Sequence, residues 1–158
     1  MKIIAILSTL LTFSVFAQSS ITVNVTLSPS GSFQATSTKV KGNLKKNGDV
    51  IEADKIQVMI ESLKTGIELR DDHFAKHLNY STHPKAVLSG LKAQNGKGSA
   101  QLEVNGVTKP VSINYELKDG IVKANFKVKA SDFKLAKAQY LGVGVEDDVT
   151  ISVEMPLK

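Results

Sequence analysis

The stretch VKANFKVKA, residues 122–130, alternates apolar and polar side chains through all of its positions. Successive side chains of a β-strand point to opposite faces of the sheet, so this stretch predicts a strand with one buried face and one face in water. The same period of two recurs in other parts of the chain. It is found at residues 21–27, 56–61, 100–105, 111–118 and 149–155.

Turn signals separate these alternating segments. They are Pro29-Ser30-Gly31, Asn47-Gly48-Asp49, Asn95-Gly96, Asn105-Gly106 and Asp119-Gly120. Asn-Gly and Asp-Gly favour the positive φ angles of tight hairpin turns. About eight short strands joined in this way predict an all-β fold, either an antiparallel sandwich or a closed barrel.

One segment, residues 64–80 (KTGIELRDDHFAKHLNY), has no alternation. Four of its side chains fall near one helical stripe: Ile67, Asp71, Phe74 and Leu78. Pro84 ends the segment, because proline cannot continue a helix. We therefore expect a short helix, inserted between two strands, that covers the mouth or the side of the fold.

The composition limits the classes of protein to consider. The chain has 158 residues, a formal net charge of +5 and no cysteine. This length fits one domain with a substantial core. The absence of cysteine excludes disulfide scaffolds, thiol catalysis and cysteine metal sites.

The N-terminus has the pattern of a secretory signal. Lys2 precedes an apolar run over residues 3–16, and Val15-Phe16-Ala17 offers small or modest residues where a signal peptidase cleaves. The run is too short to cross a hydrocarbon core of roughly 30 Å as a helix. We expect a signal peptide at residues 1–17, one domain at residues 18–158, and export to the periplasm.

The residues that could carry chemistry cluster on the predicted helix. Arg70 is the only arginine of the chain, and with Asp71 and His73 it is our candidate polar anchor. An arginine fork here would either tie the helix to the preceding strand or meet the polar head of a ligand. His73 and His77 are four residues apart and His83 follows, but the HExxH glutamate is missing, so we predict no metal site.

Catalysis and nucleic-acid binding find little support. The sequence contains no nucleophile elbow, no phosphate-binding loop and no dinucleotide motif, so we expect neither an enzyme nor a cofactor. The lysines are not interleaved with aromatic residues, which argues against nucleic acid. They suit a wet sheet face, and they would allow weak contact with anionic membrane surfaces.

Several motifs occur in a specific order along the chain. Residues 62–74 (SLKTGIELRDDHF) and residues 102–111 (LEVNGVTKPV) resemble the S-x-x-T-G-x-x-x-R-D-x-H element and the L-x-x-x-G-x-T-K-x-V hairpin of the YceI-like family. His83-Pro84 and Ser131-Asp132-Phe133 match two further places in order. The resemblance runs from about residue 33 to residue 155.

The resemblance implies an eight-stranded, antiparallel, lipocalin-like barrel of a periplasmic protein. It also implies a polyisoprenoid or another long amphipathic lipid as the ligand, with no settled enzymatic activity. The candidate ligand-binding residues are the inward-facing Phe33, Ile56, Val58, Ile60, Phe74, Leu78, Leu88, Leu102, Val104, Ile113, Tyr115, Phe126, Val128, Ile151 and Val153. Plain core packing explains each of them equally well, because a filled barrel has the same alternation.

Three functions therefore stay open. The first is an exported lipid carrier without catalysis. The second is a secreted stress-response or interaction module whose barrel is a solid scaffold. The third, with the least support, is a lipid-acting enzyme that uses the region of His73 and His77. The sequence also leaves open whether two barrels pair as a homodimer.

Overall fold

The computed structural model describes residues 17–158, and in this part of the chain eleven strands form one antiparallel sheet. The predicted signal peptide lies outside the described residues except for Ala17. The strands are β1 Ser20–Ser28, β2 Ser32–Ser37, β3 Val40–Lys41, β4 Lys45–Asn47, β5 Val50–Met59, β6 Lys85–Gln94, β7 Lys97–Val104, β8 Val107–Lys118, β9 Ile121–Lys129, β10 Gln139–Tyr140 and β11 Val143–Pro156. The helix α1 spans Glu68–His77, and two 3-10 turns span Ile60–Ser62 and Ala130–Phe133.

The sheet curls into a nearly closed barrel. Its strand order is β2-β1-β11-β9-β8-β7-β6-β5-β3, while β4 pairs with β5 and β10 pairs with β11. β2 lies at one edge of this order and β3 at the other, although only Thr38 and Lys39 separate them in the chain. Within residues 32–41, β2 thus forms strand pairing with β1, and β3 forms strand pairing with β5. This segment brings the two edges of the sheet together.

The alternation seen in the sequence fixes which side chains face the barrel interior. On β9, Val122 and Phe126 are each 6% exposed, whereas Lys123 and Lys127 are exposed to solvent. The interior contains one large apolar cluster built from all the long strands except β1 and a smaller one under α1 that includes Ala35, Val58 and Ile60. Burial of these faces supplies the main driving force for folding.

The predicted all-β antiparallel barrel with one helical excursion is confirmed. The strand count differs, because the structure has nine strands in sheet order and two short ones beside it, where the sequence predicted eight. The extra elements β3, β4 and β10 have only two or three residues each. Alternation cannot be recognised over so few positions, which is why the sequence does not reveal them.

The helical excursion lies between β5 and β6, as predicted, but it is shorter than residues 64–80. Thr36 and Lys64 exchange two backbone hydrogen bonds, with N···O distances of 2.9 and 2.8 Å, which hold residue 64 in extended pairing with β2. The helix can therefore begin only after the Thr65-Gly66 turn. Among the described residues, no helix has the length and apolar character needed to cross a bilayer.

Candidate functional site

A cavity of about 800 Å³ occupies the interior of the barrel. Its wall is formed by the inward faces of the long strands, by α1, and by the segment that leads from β9 to β11. Ligand pockets commonly have volumes of roughly 300–1,000 Å³ and mainly apolar walls, and this cavity has both properties. We refer to it as the barrel cavity.

All fifteen candidate ligand-binding residues lie on the wall of the barrel cavity. They are Phe33, Ile56, Val58, Ile60, Phe74, Leu78, Leu88, Leu102, Val104, Ile113, Tyr115, Phe126, Val128, Ile151 and Val153. For the residues on strands, this placement follows from the period of two, which puts every second residue on the inner face. Phe74 and Leu78 instead belong to the helical stripe predicted within residues 64–80. That these side chains contact a ligand remains a prediction.

Sequence reasoning missed several parts of the wall, and two of them are continuous stretches. The first is the inner face of β1, formed by Ile21, Val23, Val25 and Leu27, whose alternation was visible in the sequence. The second is the stretch 135–141, which adds Leu135, Ala138 and Leu141. This stretch has no regular pattern and mixes apolar residues with Lys137 and Gln139, so no sequence signal marks it as part of the site.

Arg70 lies on the wall of the barrel cavity, near one end of α1. Its Cζ atom stands 4.9 Å from the ring centroid of Phe33, in a cation–π arrangement. The Phe33 ring meets the ring of Phe74 edge to face, with centroids 6.0 Å apart. Nη2 of Arg70 donates a hydrogen bond of 3.2 Å to the carbonyl of Thr65, and the buried Nε has no hydrogen-bond partner.

Asp71 has a different task from its neighbour Arg70. Its Oδ1 accepts hydrogen bonds of 2.6 Å from both the hydroxyl and the backbone N–H of Thr65. These bonds, the hydroxyl first, lower the pKa of the Asp71 carboxyl below its ordinary value of 3.8. Asp71 does not line the barrel cavity, and its carboxylate closes the turn that precedes α1.

Two of the three histidines lie on the wall of the barrel cavity, and the third lies elsewhere. His73 and His77 line the barrel cavity from α1, and burial lowers the pKa of the His77 imidazole below its ordinary value, so this ring is neutral near neutral pH. His83 is not part of the wall. Within residues 17–158, no three His, Cys, Asp or Glu side chains come together in a way that could hold a metal ion.

Comparison with known proteins places this barrel in a family. The family model described as "YceI-like domain" matches residues 14–157. The chain belongs to the YceI-like family. No curated protein matches its sequence at a significant level.

Solved structures of bacterial proteins share the fold. Burkholderia cenocepacia BcnA has a TM-score of 0.67 at 16% identity, over 86% of this chain and 94% of that one. A polyisoprenoid binding domain from Saccharophagus degradans, implicated in plant cell wall breakdown, has a TM-score of 0.60 at 12% identity, over 86% and 91%. The Campylobacter jejuni YCEI protein has a TM-score of 0.55 at 23% identity, over 74% and 79%.

Another YceI-like motif, the hairpin around Gly106, contacts the segment that follows α1. A Cβ atom placed on Gly106 would stand 2.6 Å from Cε1 of His83, so the imidazole ring lies directly on this glycine. The side chain of Asn105 makes two hydrogen bonds. Its Oδ1 accepts one of 3.2 Å from the Asn79 side chain, and its Nδ2 donates one of 3.0 Å to the carbonyl of Phe133. The hairpin thereby connects the end of the helical excursion to the 3-10 turn after β9.

Proposed function

We propose that this YceI-like protein binds a long amphipathic lipid, a polyisoprenoid or a lipid of similar shape, in the barrel cavity and carries it without catalysing a reaction. The observation that carries this proposal is the apolar cavity of about 800 Å³. A scaffold with a solid barrel would fill this space with side chains, as small barrels commonly do. The cavity therefore favours a carrier over a solid interaction module.

The chemistry of the wall suits a long hydrocarbon chain. Burial of apolar surface contributes roughly 25 cal/mol per Å², before the cost of ordering the ligand is subtracted. The polar residues of the wall are Gln57, Arg70, His73, His77, Tyr115 and Gln139. Three of these lie on α1, so the helix is the natural place for the polar head, with Arg70 and His73 as its anchor.

Relatives support the class of ligand and the compartment. The Saccharophagus degradans domain of the same fold is described as polyisoprenoid binding. The resemblance to the YceI-like family implies a periplasmic protein, and the predicted signal peptide at residues 1–17 would provide a route for export. We extend both properties to this chain as part of the proposal.

Filling the barrel cavity tests the proposal. Ala124 lies on the wall, whereas its neighbour Asn125 is exposed on the outer face of β9. We expect Ala124→Phe to raise the Kd for a C20 isoprenoid about ten-fold or more, because the ring takes up space the lipid needs. The variant should lose no more than about 1.5 kcal/mol of unfolding free energy, since the ring enters a cavity.

The matched control is Asn125→Phe, which adds a ring outside the barrel and should leave the Kd within about two-fold of the wild-type value. Binding is measured by titration calorimetry and stability by denaturant unfolding. Equal affinities of Ala124→Phe and the wild-type protein would contradict the proposal, because the lipid would then lie elsewhere.

A further inference from the structure

The guanidinium of Arg70 is a cation without a carboxylate partner. Among the described residues the ion pairs are Lys123–Glu154 and Lys129–Asp148, and neither involves α1. The neighbouring carboxylate in the sequence is that of Asp71. Its Oδ1 accepts hydrogen bonds from the hydroxyl and the backbone N–H of Thr65. The chain thus keeps the positive charge of Arg70 at the barrel cavity without an ion pair to neutralise it.

The guanidinium nevertheless has a fixed position. Its Cζ atom lies over the Phe33 ring, the Phe33 ring contacts the Phe74 ring edge to face, and Nη2 donates a hydrogen bond to the carbonyl of Thr65. This is the one hydrogen bond that the group donates within the described part of the chain, although a guanidinium carries five N–H donors. A ligand that bonds to it finds a pre-organised fork and loses little side-chain entropy.

The unused donors indicate what kind of ligand group belongs here. A buried donor without a partner, such as Nε of Arg70, is energetically unfavourable, and a ligand atom that accepts its hydrogen bond would relieve this cost. Carboxylates and phosphates match the planar fork and form charge-assisted hydrogen bonds about twice as strong as neutral ones. A hydroxyl or a methyl group at the end of a lipid offers no such match.

The order of side chains along α1 gives the ligand a direction. Arg70 and His73 are three residues apart and lie on one face of the helix at the barrel cavity. Farther along the same face, Phe74 and Leu78 are apolar, and burial lowers the pKa of the His77 imidazole so that it adds no charge there. The cavity face of α1 is therefore charged near the N-terminal end of the helix and uncharged toward its C-terminal end. This order fits a lipid whose polar head lies near the N-terminal end and whose apolar tail extends away from it.

We propose that Arg70 binds an anionic head group, a carboxylate or a phosphate, of the amphipathic lipid whose tail occupies the barrel cavity. This inference rests on the proposed lipid binding and adds the class of head group. His73 is the second donor to the same head, and the Phe33 and Phe74 rings hold the guanidinium in place.

A series of ligands with one tail and different heads tests this inference. The probes are geranylgeranoic acid, geranylgeranyl monophosphate, geranylgeraniol and geranylgeranylamine, titrated into protein stripped of bound lipid. We expect the wild-type protein to bind the acid and the phosphate about ten-fold or more tightly than the alcohol, and the amine least tightly. Inorganic phosphate alone should not compete with them, because the tail supplies much of the affinity.

Substitutions of Arg70 separate recognition of the head from a structural role. Arg70→Gln should reduce the ratio between acid and alcohol to about one, while the Kd for the alcohol stays within about two-fold of wild type. Arg70→Lys keeps the charge and should retain a preference for the acid of about three-fold or more. The matched control is Lys76→Gln, which removes one charge from an exposed position of the same helix and should leave the ratio unchanged.

The outcomes that overturn the inference differ from those that overturn lipid binding. Equal affinities of the wild-type protein for acid and alcohol, or an equal loss of affinity for all four probes in both Arg70 variants, would refute the role in head-group recognition. Competition of inorganic phosphate with the acid and the phosphate probe would also refute this role, because the site would then bind free anions without a lipid tail. If none of the four probes binds, the proposed function itself fails.

Discussion

The neighbouring residues Arg70 and Asp71 have two different roles in one short motif. Asp71 closes the turn before α1 through its bonds to Thr65, and Arg70 faces the barrel cavity over the ring of Phe33. Both side chains bond to Thr65, the one to its N–H and hydroxyl and the other to its carbonyl. The turn at Thr65-Gly66 therefore fixes the position of the guanidinium.

The bonds to Asp71 predict a dependence of stability on pH. The pKa of its carboxyl is lower in the folded protein than its ordinary value of 3.8, so its contribution is present above that value and is lost as the pH falls through the folded pKa. Asp71→Asn should therefore be less stable than the wild-type protein near neutral pH, and this difference should shrink as the pH falls below 3.8. Denaturant unfolding at a series of pH values measures it.

The matched control for that prediction is Asp72→Asn. Asp72 is exposed, and no hydrogen bond from its side chain is found in the described part of the chain. Its substitution should change the unfolding free energy by no more than about 0.5 kcal/mol. A gap between Asp71→Asn and the wild-type protein that stays constant from neutral to acid pH would contradict the role assigned to the carboxylate.

At the scale of single residues, the sequence predicted on which face of a strand or helix a side chain lies, but it did not predict hydrogen-bond partners. All fifteen candidate ligand-binding residues lie on the wall. A period of two determines the face of a strand on which a side chain lies, and the helical period does the same for Phe74 and Leu78. The partner of Asp71 could not be predicted in the same way. Its partner is Thr65, six residues earlier in the chain, and such a contact depends on the path of the turn.

At the level of elements, one hairpin breaks a rule that three other hairpins follow. The turns Asn95-Gly96, Asn105-Gly106 and Asp119-Gly120 put an Asn or Asp at a φ of 52–53°, where these residues are tolerated. The turn between β10 and β11 puts Leu141 at a φ of 48°, with 86% of the side chain exposed. A leucine is strained in this region, because its Cβ comes too close to the backbone.

Relief of this strain should stabilise the protein. We expect Leu141→Asn to raise the unfolding free energy by about 1 kcal/mol, since asparagine suits the left-handed region and loses little burial at an exposed site. The control is Leu69→Asn, at a site on α1 that is also exposed, at 66%. Asparagine is a poorer helix former than leucine, so this variant should lose about 0.5 kcal/mol. A lower stability of Leu141→Asn in denaturant unfolding would contradict the account.

The same hairpin marks a limit of sequence reasoning about elements. The three Asn-Gly and Asp-Gly turns were visible because their residues favour positive φ angles. Leu141-Gly142 has no such signature, and β10 contributes only two residues to the sheet. Tertiary pairing with β11 forms this hairpin, and the sequence therefore did not reveal this part of the wall.

For the whole molecule, the barrel explains how the charge and the apolar content of the chain coexist. Lysines such as Lys123 and Lys127 lie on the outer face of the sheet, and the apolar half of each strand faces inward. Alternation and turn signals predicted this architecture. They could not predict whether the interior was filled, because a packed core and an apolar cavity have the same pattern.

The central claim is that the barrel cavity holds a lipid in the cell. The most direct measurement is mass spectrometry of the organic extract of the protein purified without detergent from cells that produce it, with Ala124→Phe purified in parallel. We predict about one long-chain amphipathic lipid per molecule of wild-type protein and much less in the variant. Wild-type protein that carries no extractable lipid, or an equal amount of lipid in both proteins, would contradict the claim.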